Sequence, residues 1–395
     1  MVLNDKYGFR SHNQFNAIYG KGGTNTLSWL LCYRVINDCN GVLDNIDNAE
    51  GTQNDRDRIK GQALALRGFL YLHLASCYSF AIDKDPNAVC APIYTKSTDE
   101  VSAAEGMPAS SVSEVYAQSI SDLEKALDLI PETYIRNSKH KIDNQVVLGL
   151  LSRACLYARQ WEKAKNYSDQ LLAKNNYLMS ESEYKEGFSN AENKEWIWGH
   201  PQTNDQNNAS YQFYYLDTTT PGSYYYSFNV DPYFRDLFED GDYRKEMIYW
   251  ATDPGADVES AAYVWMRNAK FKFRDIQNTV ADIVLMRVAE IYLINAEAKA
   301  RLNDPDAVNK LNELKAARGA QAISTSLTGE DLLEAIWLER RKELWGEGFS
   351  LIDIIRNQKS VVRKEYPDDK IDYTYTDSEG KEHTVKKDSA RTPLL

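Results

Sequence analysis

Apolar residues recur at three- and four-residue intervals in two parts of this 395-residue chain, and residues 175–280 between those parts lack the spacing. Such intervals place apolar side chains on one face of an α-helix. In the first part they predict a helix from Asn25 to Ile46, a second that is capped by Asn54 or Asp55 and runs to Tyr78, and a third that is opened by Ser111 or Ser113 and runs to Ile130. The first part is therefore helical.

Two further helices of the first part resemble a tetratricopeptide-type antiparallel pair. They are predicted over Gln145–Arg159 and Trp161–Lys174. Ala154 in one helix and Ala164 in the other are small enough to let two helix axes approach closely, with the bulky Tyr157 beside them.

The second helical part covers Asp282 to Arg356. One stripe runs from Ile283 to Ala296 and predicts a helix that begins at Asp282. Three more helices follow, predicted to run from Pro305 to Gly319, from Asp331 to Gly346 and from Phe349 to Arg356.

The middle of the chain and its tail show strand signals instead. Residues 195–199 and 264–274 alternate in the manner of short strands, and a surface hairpin is predicted around Gly380. The predicted fold is mainly α, a tetratricopeptide-like helical-repeat scaffold with long irregular insertions and a few short strands. We divide it into residues 1–174, an irregular Tyr- and Trp-rich insertion over 175–280, and a second helical half over 281–395.

Composition excludes several classes of function. Lys and Arg total 46 against 58 Asp and Glu, so the formal charge is −12, which disfavours nucleic-acid and anionic-membrane binding. No apolar run is long enough to span a bilayer. The five cysteines include no C-x-x-C pair and the five histidines are far apart in sequence, so no metal or cofactor is expected. Nucleotide-binding and hydrolase motifs are also missing.

A dense run of charges lies on one predicted helix, at Glu339, Arg340, Arg341, Glu343 and Glu347. Two interpretations are open. The run could contribute a catalytic carboxylate pair, which sequence spacing alone does not reveal. We favour a lattice of ion pairs that fixes this helix to its neighbours.

Aromatic residues are concentrated in residues 196–234, where they make up 12 of 39 positions, or about 31%, against 12% of the whole chain. Asn and Gln are interleaved with them. Aromatic faces stack on the C–H patch of a pyranose ring, and amides match its hydroxyl groups. The cluster therefore indicates a sugar-binding face. The alternative is that these aromatics fill a core that is poor in helices.

Several stretches resemble one known family. The residues that carry the resemblance are WLLCYRVINDCNGVLDNI (29–46), RIKGQALALRGFLYLHLASCY (58–78), VDPYFRDLFEDGDYRKE (230–246), DIVLMRVAEIYLINAEAKARLNDPDAVNKLNELKAARGA (282–320) and IWLERRKELWGEGFSLIDIIR (336–356). In combination they resemble the SusD/RagB family of outer-membrane lipoproteins.

This resemblance implies four tetratricopeptide-like helix pairs and a glycan- or nutrient-binding face built from loops. It implies a protein that is not an enzyme, that is located at the cell surface on the outer membrane, and that passes oligosaccharide to a SusC-like TonB-dependent transporter. Family members begin with a signal peptide and a lipid-acceptor Cys, whereas only 28 residues precede Trp29 here, so we expect a trimmed start. Any membrane attachment would be through a lipid anchor outside this sequence.

By position in the family, the segment before Trp29 and the insertion after Trp198 would line the ligand site. The ligand-binding residues predicted from these regions and from the second strand are Tyr19, Asn25, Asn207, Asn208, Tyr214, Tyr215, Tyr224, Tyr225, Tyr226 and Trp265. Two other functions stay open. They are a helical-repeat scaffold that binds a peptide or protein, and a glycosidase.

Overall fold

The fold is mainly helical, which confirms the predicted fold class. The computed structural model describes residues 2–3, 24–205, 228–252, 264–361, 373–376 and 380–385. The helices of these residues are α1 (Thr24–Asn45), α2 (Gln53–Cys77), α3 (Glu100–Glu105), α4 (Val112–Leu129), α5 (Asn144–Tyr157), α6 (Trp161–Lys174), α7 (Glu181–Lys185), α8 (Pro232–Arg235), α9 (Val288–Arg301), α10 (Asp306–Ala317), α11 (Gly329–Glu343) and α12 (Ser350–Arg356).

The strands form short antiparallel pairs. Their bounds are β1 (Val2–Leu3), β2 (Trp196–His200), β3 (Phe228–Asn229), β4 (Ile248–Thr252), β5 (Val264–Asn268), β6 (Ile283–Arg287), β7 (Tyr373–Thr376) and β8 (Glu382–Val385). β1 pairs with β3, β2 with β6, β4 with β5 and β7 with β8. The predicted strands at 195–199 and 264–274 and the hairpin around Gly380 are thus confirmed, although the second strand ends at Asn268.

One predicted helix start falls within a strand. The helix expected from Asp282 begins at Val288, because residues 283–287 form β6 opposite β2. Ile283 pairs with His200 and Arg287 with Trp196, across about ninety residues of chain. The apolar spacing in this segment fits both a helix and a strand, and pairing with a distant strand decides between them.

The helices pack closely where the sequence offers small residues. α5 and α6 are joined by residues 158–160 alone and pack against each other, with Ala154 and Ala164 fully buried. α2 packs on α4 through Gly68, where a Cβ atom would lie 2.9 Å from Cγ of Leu123 and 3.0 Å from the carbonyl oxygen of Ser119. These contacts agree with the predicted tetratricopeptide-like packing.

Arg340 of the predicted charge run pairs with Asp353, and Glu339, Glu343 and Glu347 belong to a buried ion network, which confirms the ion-pair interpretation for these four residues. At its centre Glu343 accepts hydrogen bonds from Arg244 (2.6 Å), Arg287 (2.6 Å) and Arg318 (2.9 Å). Six carboxylates are balanced by six basic groups in this network: Glu195, Glu239, Asp242, Glu339, Glu343 and Glu347 against Arg244, Lys270, Arg287, Lys315, Arg318 and Lys342. Because acidic and basic groups are equal in number, each buried charge can be compensated by an opposite one.

A second apolar cluster fills the helix-poor middle of the chain. Tyr184, Phe188, Phe238 and Phe271 lie in it, together with Trp196. Trp196, Trp198 and Phe234 are 1, 5 and 7% exposed, so these members of the aromatic cluster serve as core. For them the alternative interpretation holds.

Candidate functional site

An aromatic cleft opens between α1 and the strap, the extended segment of residues 90–98. Its volume is about 270 Å³, just below the range of about 300–1,000 Å³ typical of small-molecule pockets. It is lined by Trp29, Tyr33, Ile36, Asn37, Pro92, Tyr94 and Thr98.

The aromatic rings of the cleft hold one another in fixed orientations. The ring centroids of Trp29 and Tyr33 are 5.0 Å apart with planes at 49°, and Tyr94 meets Tyr33 edge-on at 5.9 Å. Tyr78 packs edge-on behind Trp29 at 5.1 Å. Trp29, Tyr33 and Tyr94 are all half-buried, so each keeps part of its ring exposed to a ligand.

The strap is fixed to α1 by a column of buried polar groups. Nδ2 of Asn40 donates hydrogen bonds to the carbonyl oxygens of Tyr94 (3.1 Å) and Lys96 (2.9 Å). Arg67 of α2 donates to Oδ1 of Asn40 at 2.7 Å and forms a two-pronged ion pair with Asp122 of α4, both contacts at 2.7 Å. Asn40 and Asp122 are fully buried. Three helices therefore position the strap.

A second set of hydrogen bonds fixes the strap around Tyr94. The hydroxyl of Tyr71 donates to the carbonyl oxygen of Tyr94 at 2.9 Å and accepts from its N–H at 2.7 Å. Burial raises the pKa of Tyr71 to about 12, which keeps the hydroxyl protonated and able to donate. Nearer the mouth, Oδ1 of Asn37 accepts from the N–H of Thr98 at 2.8 Å.

Polar groups remain available at the cleft. Among the described residues, no hydrogen bond is made by Nδ2 of Asn37, Oγ1 of Thr98 or Nε1 of Trp29. The cleft thus offers ring faces beside two N–H donors and a hydroxyl. Rings flanked by such groups can stack on a sugar and bind its hydroxyls.

One of the predicted ligand-binding residues, Asn25, lies close to the cleft. It occupies the first turn of α1, one turn before Trp29, and its carbonyl oxygen accepts a hydrogen bond from the hydroxyl of Tyr78 at 2.7 Å. Trp265 lies in β5 opposite Ala251, with its side chain outside what the structure describes. The other predicted residues lie outside the described part of the chain and stay predictions: Tyr19, Asn207, Asn208, Tyr214, Tyr215, Tyr224, Tyr225 and Tyr226.

The cleft residues themselves were not predicted as ligand contacts. Trp29 and Tyr33 were predicted only as part of the helix from Asn25 to Ile46, and neither Tyr94 nor Asn37 was singled out. The local signal was available, since Trp29, Tyr33 and Asn37 recur at four-residue steps and share a face of the helix. The contribution of Tyr94 depends on strap contacts that no local pattern encodes.

Metal binding has no support among the described residues, where no group of three or more His, Cys, Asp and Glu side chains is arranged to hold an ion. Two of the histidines that are far apart in sequence are nevertheless close in space, since the rings of His140 and His200 lie 6.4 Å apart. None of the described helices is both long and apolar enough to cross a membrane.

Comparison with known families and proteins gives consistent matches. A family model described as starch-binding and associating with the outer membrane matches residues 2–156, and a model of the SusD family matches residues 263–393. A SusD-like protein of Formosa agariphila is 25% identical over 401 residues, covering 88% of this chain and 75% of that protein.

Solved structures agree with the fold. A SusD-like carbohydrate binding protein from Bacteroides vulgatus is 82% identical, with a TM-score of 0.93 over 98% of this chain and 80% of its own. A laminarin binding SusD-like protein is 22% identical, with a TM-score of 0.66 over 84% of this chain and 77% of that one. The second likeness bears on the fold alone.

Proposed function

Because this chain belongs to the SusD family, we propose that it is a non-catalytic cell-surface protein that captures oligosaccharide and delivers it to a SusC-like TonB-dependent transporter. SusD-like proteins form a carbohydrate-binding and not a catalytic family. The family whose model matches residues 2–156 is described as associating with the outer membrane. Capture and location are supported by that membership. Delivery to the transporter is the further step of the proposal.

The aromatic cleft is the single observation that carries the binding proposal. Trp29 and Tyr33 would stack on the C–H faces of a sugar, and Asn37 would bind its hydroxyl groups. The rings are held in place before any ligand arrives, so little conformational entropy is lost on binding. The tyrosines predicted in residues 214–226 are proposed as additional contacts.

We expect affinity in the micromolar range or weaker. The cleft is small and open, and an exposed stacking face contributes little binding free energy for each sugar unit. Higher affinity for a polysaccharide would require that several of its sugar units bind the protein at the same time.

Affinity electrophoresis through gels that contain a panel of polysaccharides tests the proposal. We expect one polymer to retard the protein without becoming shorter, and Trp29→Ala or alanine at Tyr224, Tyr225 and Tyr226 to abolish the retardation. Tyr134→Ala is a matched control, because it also removes a half-buried aromatic ring. Tyr134 packs on Arg58 near the start of α2, whereas the cleft lies near Tyr78 at the other end of that helix. Shortening of the polymer would indicate a glycosidase. Equal retardation of Trp29→Ala would exclude the cleft.

The transporter is tested separately. Tagged protein is incubated with solubilised outer membranes from cells grown on the polymer identified above, and complexes are separated on native gels. A complex that contains a TonB-dependent transporter in stoichiometric amount supports delivery. Free protein alone would contradict that step and leave glycan binding untouched.

A further inference from the structure

A second cavity, which we call the C-terminal groove, lies between α11, α12 and the segment that leads into α8. Its volume is about 610 Å³, and it shares no lining residue with the aromatic cleft. Its walls include Phe234, Trp337, Trp345 and Phe349, and Arg340 and Asn357 also line it. A cavity of this size holds a small molecule or two to three sugar units.

Arg340 is the unusual feature of the C-terminal groove. Its side chain is 1% exposed, and its Nε donates to Oδ2 of Asp353 at 3.1 Å. Its two terminal nitrogens have no hydrogen-bond partner within the described residues. Buried donors without partners cost folding free energy, so such groups call for an explanation such as a bound molecule.

The neighbouring arginine shows what a satisfied site looks like. Arg356 donates from Nε to Oδ1 of Asp353 at 2.7 Å, and its terminal nitrogens hold both oxygens of Glu297 at 2.6 and 2.8 Å. Both arginines bind Asp353. Glu297 binds the terminal nitrogens of Arg356, but no carboxylate among the described residues binds those of Arg340. A carboxylate is the group that fits two parallel N–H donors of a guanidinium.

Three basic and three acidic side chains line the groove, so an anion meets no excess of negative charge there. Glu334 pairs with Lys359, and Asp231 accepts a hydrogen bond from the N–H of Tyr233. Arg341 at the rim is exposed and rests on the ring of Phe234 at 5.6 Å, with no carboxylate partner among the residues described. A basic group on the rim would attract a negatively charged ligand.

Ring-shaped and hydroxyl-bearing ligands suit the rest of the lining. Trp337, Trp345 and Phe349 contribute apolar ring surface to the lining, with Nζ of Lys359 4.5 Å from the ring centroid of Trp337. The buried Oδ1 of Asn357 has no hydrogen-bond partner in the described structure, so it can accept from a ligand hydroxyl. We infer that the C-terminal groove is a second saccharide site, specific for a uronic acid whose carboxylate binds the terminal nitrogens of Arg340. The choice of a saccharide among carboxylated rings rests on the proposed function.

Isothermal titration with trigalacturonate tests the inference, and its methyl ester is the matched neutral ligand. The acid form should bind at least tenfold more tightly than the ester, and its affinity should fall as salt is added. Arg340→Lys keeps the charge but loses the two parallel donors, so it should weaken binding at least tenfold. Arg341→Ala and Asn357→Ala should each weaken it several-fold while the melting temperature stays within a few degrees, so they keep the test valid if Arg340→Lys fails to fold.

Trp29→Ala separates this inference from the proposed function. Uronate affinity should be unchanged in that variant even if binding of a neutral glycan is lost. Loss of uronate binding in Trp29→Ala, with Arg341→Ala unaffected, would assign the uronate to the aromatic cleft and overturn the inference. Equal binding of acid and ester, or no binding of either, would overturn it as well.

Discussion

At the scale of single residues, buried charges are tolerated here because each is met by an opposite charge at hydrogen-bond distance. Glu297 is fully buried in α9, where burial alone would raise the pKa of its carboxyl. The charge of Arg356 and its two hydrogen bonds outweigh burial and lower this pKa from 4.5 to about 2. The ionised carboxylate therefore stabilises the folded state.

The pH dependence of stability follows from that shift. A carboxyl group with a depressed pKa in the folded state contributes stability above its unfolded pKa, and the contribution is lost as pH falls through the folded value. The contribution of Glu297, on the order of 3 kcal/mol, should disappear between about pH 5 and pH 2. Denaturant titrations should find Glu297→Gln less stable than the parent at pH 7, with the difference shrinking towards pH 2. A constant difference over that range would contradict the assignment.

The residues of the candidate site show where sequence reasoning stops. Aromatic density in residues 196–234 drew attention to the insertion, yet Trp196, Trp198 and Phe234 are core. Trp29 and Tyr33 were predicted only as part of a helix with one apolar face, yet they line the cleft. A half-buried aromatic residue can be described both as core and as a ligand contact, since one edge packs on the core and the other faces solvent. Only the position of the strap shows that Trp29 and Tyr33 line a cleft.

At the scale of elements, the α2–α4 contact depends on a glycine. Gly68→Ala would place a methyl group 2.9 Å from Leu123 and 3.0 Å from a backbone oxygen of Ser119, so one helix must shift. We expect a loss of about 1–3 kcal/mol in the free energy of unfolding. Gly41→Ala in α1 is the control, because no atom lies within 4 Å of its added methyl. It should stabilise by about 0.5–1 kcal/mol through helix propensity. Chemical denaturation measures the change in the free energy of unfolding of each variant. If both variants are stabilised or both are destabilised, the packing argument is wrong.

Helices were largely predictable because their periodicity is local. α6 has the bounds that the sequence predicts, and Pro305 and Gly319 flank α10 as expected. β6 was not predictable in this way, since the same residues continue the apolar stripe of α9. Its strand geometry arises from pairing with β2, and Arg287 at its end enters the ion network around Glu343. Contacts between distant segments carry this information, and a window of sequence does not contain it.

At the scale of the whole molecule, the aromatic cleft is an extension of the helical scaffold. Asp122 of α4 holds Arg67 of α2, Arg67 orients Asn40 of α1, and Asn40 holds the strap that carries Tyr94. Every member of this chain of contacts up to the strap is buried. The geometry of the binding surface is thus set by the packing of three helices, and a change that touches no ligand should still alter affinity.

Asn40→Ala tests this coupling. The substitution removes the two hydrogen bonds from Asn40 to the strap and the acceptor that Asn40 offers to Arg67. The strap should therefore shift near Tyr94 and Lys96, although Tyr71 and Asn37 still hold it, while the helices remain. We expect the affinity for the polysaccharide identified by affinity electrophoresis to fall several-fold, while the helical circular dichroism of the protein is unchanged. Asn312→Ala is a control of the same chemistry, because Asn312 of α10 holds the backbone of Ile323 through hydrogen bonds of 3.1 and 2.9 Å. It removes a loop anchor in the other helical part of the chain and should leave affinity unchanged. If both variants bind like the parent, the hydrogen bonds from Asn40 do not set the geometry of the cleft, and the proposed coupling is wrong.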